Sequence, residues 1–227
     1  LYLKYLIARL SSFRNVWWSM ANEWDLMGEK TAEDWERYLA IVDAKDPYDH
    51  LVSIHNAGRM YDHAHPAITH LSLQKHDPKR IPGWHEKYGK PAILDEMSYE
   101  GDMGYNYGDL TGQQMVERFW LAITRGGYGT HGEMYYHPDN ILFWSKGGTL
   151  HGTSPERIRF LRNLMEESLS GGLMPYPTEP WWNRKSCGSQ GESVFFFYYE
   201  DYQPAFRPVT LPEGKEYTID VIDTWKM

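Results

Sequence analysis

The sequence has 227 residues with 41% apolar and 15% aromatic content, enough to fill a sizeable core, and a net charge of −8. An acidic chain without a lysine or arginine cluster excludes a nucleic-acid partner, whose phosphates demand a basic surface. No apolar run approaches the roughly 18–20 residues of a membrane span, so no membrane partner is expected, and a single cysteine, Cys187, excludes an intrachain disulfide framework or a cysteine-based zinc site.

Leu1 to Leu10 has helical periodicity but neither an initiating Met nor an N-cap, so the chain reads as a fragment that begins inside a helix. Val16 to Ala21 is a short, Trp-rich apolar run ending in Asn22-Glu23-Trp24-Asp25. That pattern predicts a strand buried on both faces, with Trp17 and Trp18 in the core and a carboxylate at its C-terminal mouth. Thr31-Ala32-Glu33-Asp34 supplies an N-cap and acids for the first turn of a helix that should stop near Asp46-Pro47. Residues 51–56 and 68–74 read as short buried strands, 81–88 as a short helix, and Pro91 to Met97 as a strand that ends, like the first, in an acid, Glu96. The polar, Gly- and Tyr-rich stretch 98–109 is long for a connection and is expected to be a loop lying over a site. Thr111 to Arg125 reads as a helix stopped by Gly126-Gly127, Tyr128 to Glu133 as a Gly-rich strand, and 134–152 as a loop. A helix opens at Ser154-Pro155 and ends at Gly171-Gly172.

Five strands alternating with helices imply parallel pairing and an α/β class. The count fits strands four to eight, the C-terminal part, of a (β/α)8 TIM barrel over residues 1–172, since a complete barrel takes about 250 residues. A doubly wound five-stranded sheet is the alternative, weakened by the lack of a Gly-rich phosphate turn. From residue 173 the composition changes: Pro175, Pro177 and Pro180 read as a linker, followed by strands at 193–199, 210–211 and 217–222. These predict a small antiparallel sheet, the start of a C-terminal β-sandwich domain over 173–227.

Two buried strands that each end in Glu suggest one catalytic pair, Glu23 and Glu96. Glu23, beside Trp24, is the better candidate for a pKa raised by desolvation. Asp95 alternates away from Glu96 and is expected to face the helices, whereas Glu100, four residues on, is the competing nucleophile. Asn22, His55, Asn56, Gln74, His76, Tyr99, Glu100, His131, Glu133 and Trp144 follow strand ends. They supply the amides, imidazoles, carboxylates and aromatic platforms that sugar hydroxyls and apolar ring faces require.

Asn22-Glu23 at one strand end and Glu96 three strands later resemble the clan A glycoside hydrolases, (β/α)8 barrels with an Asn-Glu acid/base on strand four and a nucleophilic Glu on strand seven. Leu94-Asp95-Glu96, Tyr99-Glu100-Gly101, Gly126-Gly127-Tyr128, His131-Gly132-Glu133 and Trp144-Ser145-Lys146-Gly147-Gly148 are similar to uncharacterised bacterial members with a C-terminal β-domain. The resemblance implies a retaining glycosidase with a carbohydrate substrate, no cofactor and no metal, and Glu23 and Glu96 as its two carboxylates. Sugar, linkage and oligomeric state do not follow from it. Asp62-His63-Ala64-His65 motivates a metal-dependent barrel hydrolase as a second class. A sugar-binding protein without catalysis is the third.

Overall fold

The computed structural model describes the whole chain except residues 75–76, 105–106, 137–140, 143–147, 178–185 and 203–204. The chain divides into two compact units: Leu1–Lys75 with Gly83–Asp95, and His76–Pro82 with Glu96–Met227. Parallel strand pairs, helices and a small antiparallel sheet give the mixed α/β class expected. Among the described residues no helix is long and apolar enough to cross a membrane.

In the first unit, α1 (Tyr2–Leu10) leads to β1 (Trp18–Ser19), which pairs in parallel with β2 (Val52–Ser53) in the register Trp18 to Val52. Between them α2 (Ala32–Lys45) starts on a reciprocal capping box: the Asp34 amide donates to the Thr31 hydroxyl and the Asp34 carboxylate accepts from the Thr31 amide. Trp35, Leu39 and Val42 line its buried face at helical spacing and join Ile7, Trp18, Ile54 and Ile68 in one core. The strand expected at 51–56 is interrupted at Ile54. Residues 52–53 pair with β1, while β3 (His55–Asn56) pairs in parallel with β4 (Leu71–Gln74), so one extended stretch serves neighbours on two sides. Next to β4 lies β5 (Ala92–Glu96), reached through α3 (Ile81–Tyr88).

The Trp-rich strand is shorter and less buried than its composition predicts. Trp18 is buried and its indole N–H donates to Asp46 Oδ2 at 2.9 Å, but Trp17 is 57% exposed and meets the edge of the His70 ring. Alternation along a strand with one covered face puts successive side chains on opposite sides, and composition alone cannot reveal that the second face is open.

In the second unit, β6 (Glu100–Gly101) lies inside the stretch expected to be loop and pairs in parallel with β8 (Glu133–Tyr136), which pairs antiparallel with β9 (Ile141–Leu142). Between them run α4 (Gly112–Ile123), opened by a Thr111/Gln114 capping box, and β7 (Tyr128–Gly129). Beyond α5 (Ser154–Ser168), the strands β10 (Met174–Pro175), β11 (Ser186–Gln190) and β12 (Val194–Tyr198) form the antiparallel sheet. This sheet shares its compact unit with α4 and α5, and Trp120 stacks on Tyr198 with ring centroids 5.8 Å apart.

Among the described residues the strands expected at 210–211 and 217–222 are not formed, and Phe206, Ile219 and Val221 are 84%, 71% and 96% exposed. Alternating apolar residues make a strand only where a partner supplies the ladder. The segment is held by side chains: Lys215 pairs with Glu192 at 2.8 Å, the Tyr217 hydroxyl donates to the Glu192 carbonyl at 3.1 Å, and the Trp225 carbonyl accepts from Arg157 Nε at 3.2 Å with its ring 4.3 Å beneath that guanidinium.

Asp46 is the joint of the first unit: at the end of α2 its carboxylate accepts from the Trp18 indole, the Tyr48 and His50 amides and the His50 ring. Asp46→Ala leaves several buried donors unsatisfied and is expected to cost about 2–3 kcal/mol, read as a lower urea midpoint at unchanged m-value. Asp46→Asn should lose less.

Candidate active site

Within the first unit, the parallel strands carry the candidate residues to their C-terminal ends, where sites of parallel α/β folds are built. Asn22 is exposed and Glu23 half-buried three to four residues past β1. Glu23 adopts the left-handed conformation, φ 50° and ψ 53°, just before a 3-10 turn at Trp24–Leu26. A non-glycine residue held there stores about 1 kcal/mol or more of strain, which the surroundings must hold in place. The surroundings are explicit: Asp25 accepts from the amides of Ala57, Gly58 and Arg59 at 2.7–2.8 Å. Trp24 sits between the Tyr61 ring, 5.2 Å away, and the Arg59 guanidinium, 4.5 Å away.

His55 and Asn56 are both buried, and Gln74 at the end of β4 is half-buried. His55 Nδ1 lies 3.2 Å from Ser72 Oγ and 3.5 Å from Asp95 Oδ2, and the Ser72 hydroxyl donates to the same Asp95 oxygen. Asp95 therefore spans neighbouring strands instead of facing the helices, because the parallel register sets His55 beside Ser72. His76 and Trp144 lie outside the described residues.

Glu96 is the last residue of β5, and its Oε2 accepts from the Tyr99 hydroxyl at 2.9 Å and the Tyr107 hydroxyl at 3.2 Å. Ser98, at φ 74°, turns the chain so that Tyr99 can reach back. The stretch 98–110 is thus no slack loop: the Tyr99 amide bonds to the Tyr107 carbonyl at 2.7 Å and the Leu110 amide to the Tyr99 carbonyl at 3.1 Å. Gly132 is the seat for this arrangement, since a Cβ there would overlap the Tyr99 ring.

Glu100 and Glu133 are direct partners across β6 and β8, so their carboxylates share one face. Like charges set opposite each other repel, and here that repulsion is offset by donors. Glu100 Oε1 accepts from the Thr153 amide at 2.7 Å and the Tyr135 hydroxyl at 3.2 Å, and Oε2 from the amide and hydroxyl of Ser154. Glu133 accepts from the His151 and Gly152 amides at 2.8 and 3.1 Å. His131 Nε2 lies 3.6 Å from Glu133 and 4.0 Å from Glu100. Burial alone would push the Glu100 carboxyl up, but the nearby His131 ring and the hydrogen bonds from the Ser154 hydroxyl and the Thr153 and Ser154 amides outweigh it and hold it at about 2. Glu100, 1% exposed, serves as an anionic cap on the first turn of α5.

Among the described residues, Glu100, His131 and Glu133 are the group whose ligand atoms lie within 4.8 Å of one another. All four carboxylate oxygens accept N–H or O–H donors, which hold the 151–154 segment. The histidines of the 62–65 loop part company: His63 is fully buried, with burial first and Lys90 second pushing its ring down to about 4, whereas His65 Nε2 pairs with Glu36 at 2.9 Å.

Asp25, Tyr107 and the amides of 151–154 are functional groups that the sequence alone does not mark out. Tyr107 lay in a stretch noted for its tyrosines; the others act through backbone groups that leave no trace in residue type.

The depressed Glu100 value makes a pH prediction. A carboxyl with a folded-state pKa of about 2 against an ordinary 4.5 contributes stability that is present above about pH 4.5 and lost as pH falls toward 2, up to about 3 kcal/mol. Urea midpoints measured between pH 6 and 2.5 should fall steeply for the wild type. Glu100→Gln should start lower at pH 6 and show a flatter profile.

Three comparisons bear on this geometry. Residues 181–227 match the family model "Domain of unknown function (DUF5605)". No match is found among curated proteins. The chain is similar to the crystal structure of a "putative glycoside hydrolase" from Bacteroides vulgatus ATCC 8482, with 38% sequence identity and a TM-score of 0.78 over 86% of this chain. It spans 38% of the length of that neighbour.

Proposed function

We propose that this chain is part of a glycosidase, that residues 1–172 belong to the second half of a (β/α)8 catalytic barrel, and that the enzyme hydrolyses O-glycosidic bonds of an oligosaccharide with retention. Likeness to a glycoside hydrolase structure at 38% identity supports the general class. The observation that carries the finer reading is the hydroxyl clamp on Glu96, because two O–H donors on one oxygen stabilise an ionised, oriented carboxylate at a strand end.

In this mechanism Glu96 attacks the anomeric carbon while Glu23 passes its proton to the departing glycosidic oxygen, leaving a glycosyl ester on Glu96. Glu23, now ionised, takes a proton from water, the resulting hydroxide attacks the anomeric carbon, and the Glu96 carboxylate leaves. Such a pair works at about 5–5.5 Å separation. Asn22, His55, Asn56, Gln74, His76, Tyr99, His131 and Trp144 are the proposed substrate contacts. Glu100 and Glu133, expected from the sequence among these contacts, are given supporting roles, because their oxygens are occupied by the 151–154 segment.

Glu96→Gln in the full-length protein should abolish turnover of aryl glycosides. Glu23→Ala should lose most activity on poor leaving groups and regain turnover of activated ones with azide, which attacks the glycosyl ester without a base. Full activity in Glu96→Gln together with its loss in Glu100→Gln would move the nucleophile. Activity removed by EDTA and restored by zinc would favour the metal-dependent class.

A further inference from the structure

We propose that Asp25 is a positioning residue for Glu23, latching the turn that presents the acid/base carboxylate; this rests on the role given to Glu23 above. Two sets of bonds bracket that turn. On its N-terminal side the His55 amide donates to the Ala21 carbonyl at 3.1 Å, tying the exit of β1 to β3. On its C-terminal side the Asp25 carboxylate takes three successive amides of the segment leaving β3: Ala57 at 2.7 Å on Oδ1, and Gly58 and Arg59 at 2.8 and 2.7 Å on Oδ2. Residues 22–24 are therefore suspended between two anchors on the same neighbouring stretch, with Glu23 at φ 50°.

Three consecutive N–H groups converging on one carboxylate form an anion nest, and an anion fills it better than a neutral amide. Burial would raise the Asp25 carboxyl, but the amide bonds outweigh it and the net direction is downward, so the latch stays charged wherever a glycosidase would operate. The latch holds the carrier of the proton and touches none of the bonds that break. Its loss should therefore appear where protonation of the leaving oxygen limits the rate.

The test uses the full-length protein with Asp25→Asn, which keeps size and removes charge. Amide hydrogen exchange at Ala57, Gly58 and Arg59 should accelerate, and a crystal structure of the variant should show Glu23 out of the left-handed region. With 2,4-dinitrophenyl and methyl glycosides of a sugar that the wild type turns over, kcat/KM, which reports the glycosylation step, should fall about 30-fold or more on the methyl glycoside and less than about threefold on the dinitrophenyl glycoside. Arg59→Pro, which deletes one of the three amide donors, should reproduce the leaving-group bias, and Arg59→Ala, which keeps the amide, should not; this pair decides the matter if Asp25→Asn does not fold. Unchanged exchange at 57–59 with Glu23 still left-handed, or equal losses on both substrates, would overturn the proposal. A released turn in a protein whose wild type hydrolyses no glycoside would instead sink the glycosidase reading and leave the latch standing.

Discussion

One buried carboxylate organises the second unit. Glu100 gathers the amides of Thr153 and Ser154 and the hydroxyls of Ser154 and Tyr135, so the start of α5, the strand β6 and the side chains of β8 meet at a single charge. A carboxylate removed from water is unfavourable unless every lone pair is satisfied, and helix N-termini offer unpaired N–H groups for that purpose. Glu133, its partner across the parallel register, meets the same requirement with the amides just upstream. Gly152 makes this closeness possible: a Cβ there would overlap the Glu100 carboxylate and stand 2.6 Å from Glu133 Oε1.

The candidate nucleophile depends on this anchorage through the backbone. Tyr99, which donates to Glu96, is the residue directly before Glu100, and its ring rests on Gly132, directly before Glu133. The site is thus layered. A charged layer fixes two adjacent strands, and one residue earlier on each strand a tyrosine and the glycine beneath it translate that fixity into the orientation of Glu96. Around Glu23 the first unit uses a different device with the same logic, a charged side chain filled with backbone donors beside a strained turn.

Legibility in the sequence follows the range of the forces involved. The helix from Ala32 was readable because Thr31 and Asp34 are both partners in its cap, three residues apart, and the helix from Ser154 because Pro155 marks its first turn. Glu96 was readable because an apolar run stops at it. The two-residue strand β6 was not: it has no room for alternation, and its partner strand β8 lies more than 30 positions away. Glu100 looked like a rival nucleophile since residue type and strand position fit that role, and its donors lie 53 and 54 residues downstream. Apolar alternation at 217–222 suggested a strand, yet among the described residues no ladder completes it. The two readings fail for one reason: a pairing partner remote in sequence is invisible locally whether it is present or absent.

The short segment from Glu96 to Glu100 behaves as a cassette with both ends pinned, one to tyrosine hydroxyls and the other to a helix terminus. Adding or removing a single residue would turn the second carboxylate to the opposite side of β6 and unseat α5, because strand side chains alternate. Diversification of what this surface accepts is therefore closed to length changes here. It is channelled into substitutions that keep the count.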